Sequence, residues 1–132
     1  KIIKTINKVE QNIIILGDKG MLFSILRNLI SNAIKFTHNN GEISIFTEDH
    51  AENYIVHVQD NGVGIDQKDL SKLFVKEKVY STLGTNKEPG SGIGLQICKE
   101  FMDVHNQDIG VKSSLGKGSD FWFSIKKYNT SI

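Results

Sequence analysis

Residues 28–37 read Asn28-Leu29-Ile30-Ser31-Asn32-Ala33-Ile34-Lys35-Phe36-Thr37, or NLISNAIKFT. The stretch is mostly apolar and reads as helix, yet it holds two asparagines and a lysine. Asparagine is a mediocre helix former, and burying its amide unpaired costs free energy. At about 100° per residue, Asn28, Asn32 and Lys35 fall at i, i+4 and i+7 on one narrow stripe. Leu22, Leu26, Leu29 and Ala33 form an apolar stripe about a third of a turn away. The polar residues are therefore ordered, not scattered. Two readings are open: a solvated helix face, or two amide oxygens and an ammonium arranged to hold a hydrated divalent cation and an anion together.

Upstream, Gly17-Asp18 supplies a helix start with Asp18 as N-cap, which predicts a helix over residues 19–38. His38-Asn39-Asn40-Gly41-Glu42 ends it with Asn and Gly. Residues 2–6 and 13–16 read as short strands. Residues 42–48 and 54–59 alternate and predict a hairpin. DNGVGID (60–66) breaks the second strand with two glycines, and residues 66–74 suggest a short helix. Periodicity is lost over residues 75–89, which carry lysines and the single proline, Pro89. Irregular stretches of that length in compact domains usually serve function. GSGIGLQICKEFMDVH (90–105) predicts a helix entered through glycines, with Leu95, Cys98 and Met102 on one face. Residues 108–113 and 119–126 close the chain as a hairpin around SSLGKGS, with Phe121 and Phe123 on one face. The fold class is α+β: a two-layer α/β sandwich, its mixed and mostly antiparallel sheet covered on one face by helices.

At 132 residues the chain reads as one domain, 1–132, with room for a real core. Its net charge of +1 gives no strong field to steer nucleic acid or an anionic membrane, so no nucleic-acid partner is expected. The single cysteine, Cys98, excludes an internal disulfide framework. No apolar run approaches the roughly 20 residues of a membrane span.

Three further stretches suggest chemistry. In DNGVGI, Asp60 ends a strand before Gly62 and Gly64, which let another group approach the backbone. Its carboxylate suits an amino group of a ligand, although a glycine-rich turn with an Asx cap reads equally well. In GSGIGL, Gly90, Gly92 and Gly94 lead into a helix whose free N–H groups and dipole favour an anion. That pattern alone is weak, and it matches neither a dinucleotide fingerprint nor a P-loop. GKGSDFWFSI (116–125) reads as a hairpin feeding a core strand.

In combination and in this order, these stretches resemble the N, G1, F, G2 and G3 boxes of the catalytic, ATP-binding domain of sensor histidine kinases. NLISNAIKFT stands for the N box, DNGVGID for G1 and Lys72-Leu73-Phe74 for the F box. GTNKEPGSGIGL stands for G2 and GKGSDFWF for G3. The resemblance spans essentially the whole chain. The wider group includes DNA gyrase B, Hsp90 and MutL, which share the Bergerat fold, a two-layer sandwich of mixed sheet and helices.

The resemblance implies ATP and Mg²⁺ as ligands. Asn32 would coordinate the Mg²⁺ that bridges the phosphates, with Asn28 nearby and Lys35 against the phosphates. Asp60 would accept from the adenine amine, Gly62 and Gly64 would admit the base, and Ile65 and Ile93 would flank it. Ser119 would assist Asp60 through water. Gly90, Ser91, Gly92, Gly94 and Leu95 would cradle phosphate. Residues 75–90 would form a lid anchored at Phe74, with Lys78 and Tyr80 as lid contacts. Relatives that hydrolyse ATP carry a glutamate four residues before the metal asparagine; here that residue is Asn28. An amide cannot take a proton from water near neutral pH, so the implied reaction delivers the γ-phosphoryl to an external histidine.

The family's acceptor histidine lies on a separate dimerisation domain. His38, His50, His57 and His105 are not followed by residues that fit its motif, so this chain is expected to bind ATP without autophosphorylating. The expected partners are that domain in the parent protein and, downstream, a response-regulator receiver domain. A monomeric fragment, a homodimeric parent and a cytoplasmic setting are expected. Two departures stand out: His105-Asn106-Gln107 where relatives often read HGG, and Val75 with lysines where they often supply an arginine or second aromatic. Two alternatives remain: a nucleotide-binding regulatory module without transferase activity, and a serine kinase of the anti-sigma-factor type.

Overall fold

The computed structural model describes residues 1–10, 12–74 and 94–128. Its elements are β1 (Lys4–Lys8), β2 (Ile15–Leu16), α1 (Lys19–Phe36), β3 (Glu42–Asp49), β4 (Asn53–Asp60), α2 (Gln67–Leu70), α3 (Gly94–Val104), β5 (Ile109–Ser114) and β6 (Gly118–Lys127). The strands form one mixed sheet in the order β1-β3-β4-β6-β2, with β5 also on β6. β1 runs parallel to β3, and every other pair is antiparallel. The two expected hairpins, β3–β4 and β5–β6, are both present.

α1 starts where the sequence places it: the Asp18 carboxylate accepts from the Met21 N–H. It ends two residues before the expected position, at Phe36, because Thr37 turns extended and its hydroxyl donates to the Ala33 carbonyl at 2.6 Å. Thr37 is fully buried. The buried face of α1 is Leu22, Ile25, Leu29 and Ala33, with Leu26 only partly buried. Exchanging Leu26 for Ile25 turns the buried face about 25° toward the asparagine stripe. Asn28, Asn32 and Lys35 are half-buried on this face.

α2 is a single turn, shorter than the helix expected over 66–74. Lys72 and Leu73 donate to carbonyls three residues back, in the tighter 3₁₀ manner. That tightening lets Leu73 reach the core and Phe74 meet Phe121 edge to face at 6.4 Å. The expected strand over 13–16 is reduced to Ile15–Leu16, both exposed, because only the end of β6 pairs with it. On α3, Cys98 and Met102 are fully buried as expected, while Gln96 rather than Leu95 joins them. Asn106 takes the left-handed conformation, φ 53°, at the position where the resembled family often reads glycine, so the departure from HGG is absorbed in one turn.

The core lies between α1, α3 and one face of the sheet, built from Ile43, Val58, Phe121, Phe123 and Ile125. Burial pushes the Cys98 thiol up to about 12, which leaves it a small apolar group at neutral pH. Leu29, at 0% exposure, sits at the centre of the layer that holds the asparagine stripe in place. Leu29→Ala is expected to cost about 2–5 kcal/mol, read from denaturant unfolding. A loss under about 1 kcal/mol contradicts this packing.

Candidate functional site

The site is assembled where the end of α1 meets the loop after β4. The Phe36 carbonyl accepts from the Val63 N–H at 3.1 Å. A side chain on Gly62 would place its Cβ 2.1 Å from that same carbonyl oxygen, so only glycine fits. Gly64 has φ +72°, and a Cβ there would meet the Ser114 carbonyl at 1.9 Å. On the hairpin side, Gly116 donates to the Val63 carbonyl at 2.8 Å. The loop that follows Asp60 is therefore held between the end of α1 and the β5–β6 hairpin.

Within the stripe, Asn28 donates through Nδ2 to the Ser24 carbonyl at 2.9 Å. Its Oδ1 turns toward the start of α3, where a Cβ on Gly94 would lie 2.6 Å from it. Among the described residues, the Asn32 amide has no hydrogen-bond partner. Lys35 carries its ammonium 4.9 Å from the centroid of the Phe36 ring.

Asp60 is buried at 6% exposure and pairs with Ser119 across β4 and β6. Its Oδ1 accepts from the Gly62 N–H at 2.8 Å. Burial raises its pKa above the usual carboxylate range, the charge of Asp120 adds to that, and the backbone N–H groups of Gly62 and Ser119 partly offset both. Ile65 packs against the core edge, and its N–H donates to the Ser113 hydroxyl at 2.8 Å. Phe74 is anchored on Phe121, and Leu95 packs against the core beside Gly94.

Asn28, Asn32, Lys35, Asp60, Gly62, Gly64, Ile65, Phe74, Gly94, Leu95 and Ser119 thus lie on the described framework. Lys78, Tyr80, Gly90, Ser91, Gly92, Ile93 and the stretch 75–90 lie outside the described residues.

Several supporting residues escaped the sequence reading. The Asn61 side chain accepts from the Glu42 N–H at 2.8 Å and ties the loop to β3; an Asn before Gly was a readable sign of such a turn. His105 accepts from the Asp18 N–H through Nε2 at 2.9 Å, and its Nδ1 lies 2.8 Å from the Phe101 carbonyl. It therefore joins the end of α3 to the cap of α1. On the other sheet face His57 stacks on Phe46 and bonds to Glu48 and Asp120. Hydrogen bonds from His57, then His50, hold the Glu48 carboxyl below its usual range.

The oxygens that α1 offers a metal are neutral amides, and no cluster of three His, Cys, Asp or Glu suited to a metal occurs among the described residues. Such a set fits a hard cation that brings its own anionic ligands and keeps some water, as Mg²⁺ does with phosphates.

This geometry agrees with three comparisons. The family model described as "Histidine kinase-, DNA gyrase B-, and HSP90-like ATPase" matches residues 17–129, and the chain belongs to that family. The sensor protein GacS of Pseudomonas syringae pv. syringae is 37% identical over 115 residues, covering 83% of this chain and 13% of GacS. The catalytic domain of histidine kinase ThkA, in a nucleotide-free form, superposes with a TM-score of 0.77 at 27% identity, covering 95% of this chain and 78% of that domain. Full-length ShkA, in complex with AMPPNP, gives a TM-score of 0.77 at 26% identity, covering 98% of this chain and 27% of ShkA. The chain spans only 13–15% of the length of the first curated relatives it matches. It is an ATP-binding domain of the histidine kinase type, and its mixed, mostly antiparallel sheet with helices is the fold of that group.

The raised pKa of Asp60 has a stability consequence. The folded carboxyl is harder to ionise than the unfolded one, so ionised Asp60 destabilises the fold at pH 7. That penalty disappears as pH falls through the folded and then the unfolded pKa. Asp60→Asn keeps the acceptor for Gly62 and is expected to raise the melting temperature at pH 7 by a few degrees, roughly what 1 kcal/mol gives at this size. The gain should shrink toward pH 4. A variant that melts lower at pH 7, or whose gain persists in acid, contradicts the assignment of burial as the dominant cause.

Proposed function

We propose that the chain binds Mg²⁺–ATP and donates the γ-phosphoryl to a histidine on a separate dimerisation domain. Family membership supports ATP binding with a catalytic role in sensor kinases. Position 28 carries the finer reading: the residue facing the start of α3 from α1 is an amide, its nitrogen already committed to the Ser24 carbonyl. An amide offers no base to activate water, so the site is suited to positioning a phosphoryl group for another acceptor.

Each residue then has a defined task. Asp60 accepts from the exocyclic amine of adenine, in a pocket dry enough to raise its own pKa. Gly62 and Gly64 keep the wall beside the base free of side chains, and Ile65 supports it from the core edge. The N–H groups at the start of α3, at Gly94 and Leu95, face anionic oxygen with the helix dipole behind them. Asn32, with Asn28, would hold Mg²⁺, which when bound neutralises charge on the phosphates. Lys35 adds a cation at the same end of α1. Transfer of this kind depends mainly on positioning and charge neutralisation. The acceptor histidine, and a response regulator that takes the phosphoryl next, belong to other domains or proteins.

Calorimetric titration with Mg²⁺ and a non-hydrolysable ATP analogue should give saturable binding. Asn32→Ala should weaken it about tenfold or more and remove most of its dependence on Mg²⁺. With the parent's dimerisation domain supplied in trans, labelled ATP should place label on its histidine. Absence of binding at millimolar nucleotide overturns the reading of the site; binding without label on the histidine overturns the transfer.

A further inference from the structure

The apolar rows of the sheet end in a polar row. Across β5, β6 and β4, Ile109, Phe123 and Val56 form one row and Val111, Phe121 and Val58 the next. The last row on that face is Ser113, Ser119 and Asp60. Ser113 is the hub of this row. Its Oγ lies 2.8 Å from the Ile65 N–H, 2.9 Å from the Gly118 carbonyl oxygen and 2.7 Å from the Ser119 Oγ.

A serine hydroxyl has one proton and two lone pairs. The Gly118 carbonyl can only accept, so the Ser113 proton goes there. The Ile65 N–H can only donate, so it takes one lone pair. The remaining lone pair must receive the Ser119 proton. With its proton turned inward, Ser119 offers only lone pairs to the pocket, beside the Asp60 carboxylate. A water placed between the two would donate to both and turn its own lone pairs toward the ligand.

We infer that Ser113 is a positioning residue that sets base specificity: by fixing the Ser119 hydroxyl as an acceptor, it makes this wall selective for a base carrying an amine over one carrying a carbonyl at the same position. The inference rests on the adenine-binding reading of Asp60 and deepens it. Ser113 touches no ligand and acts through Ser119. Without it, the Ser119 hydroxyl is free to rotate and donate to a carbonyl oxygen.

The test compares ATP with inosine triphosphate, which replaces the exocyclic amine by a carbonyl. Affinities of both, with Mg²⁺, are measured for the full chain and for Ser113→Ala, Ser113→Thr and Ser113→Cys, after thermal melts establish which variants fold. Wild type should prefer ATP. Ser113→Ala should lower that preference about fivefold, the scale of one hydrogen bond, chiefly by improving inosine triphosphate relative to ATP. Ser113→Thr, which keeps the hydroxyl, should retain the wild-type ratio. Ser113→Cys, nearly isosteric but a weak acceptor, should lose preference as alanine does and decides the matter if the alanine variant does not fold. A merely structural role weakens both nucleotides alike and leaves the ratio unchanged, and that result overturns the inference. Wild type that binds neither nucleotide overturns the reading of the site itself, a failure distinct from an unchanged ratio.

Discussion

The contact on which the site depends is between the last carbonyl of α1 and the loop after β4. Phe36 gives up helical continuation and accepts from Val63 instead, and Gly62 presses against the same oxygen. A Cβ at Gly62 cannot coexist with this contact, so the sequence DNG and the end of the N-box helix form one unit. Two consequences follow. The asparagine stripe on α1 and the carboxylate at the end of β4 are held in a fixed relation, although they come from separate parts of the chain. Thr37, turned extended and bonded back to Ala33, starts the connection that leads into β3.

The site occupies the seam where the apolar core stops. Rows of Ile, Val and Phe fill the sheet face beneath α1 and α3, and the final row is polar. Burying Asp60 there costs stability, and its raised pKa is the sign of that cost. A fold selected for stability alone has no reason to place a carboxylate there; the proposed recognition of an amine donor would supply one.

Much of this was legible in the sequence, for physical reasons. Periodic spacing announced α1 and α3, alternation announced β3, β4 and β6, and paired glycines marked the loops that pass close to other backbone. What escaped depends on tertiary context. Leu22-Leu26-Leu29-Ala33 and Leu22-Ile25-Leu29-Ala33 are both helical faces, and packing against α3 and the sheet selects the second. The end of α2 tightened because Leu73 and Phe74 both reach the core. Ser113 gave no signal, since its partner Ile65 lies 48 residues away and the two meet only where the loop after β4 lies against β5 in the folded chain. His57, clamped by carboxylates from β3 and β6, was invisible for the same reason.

The most direct measurement is a map of backbone amide shifts by NMR as a non-hydrolysable ATP analogue is added with Mg²⁺. The account predicts changes concentrated at Asn32 on α1, at Gly62 and Gly64, at Gly94 and Leu95, and at Ser119. Changes centred instead on the far sheet face, around His57 and Trp122, would contradict it.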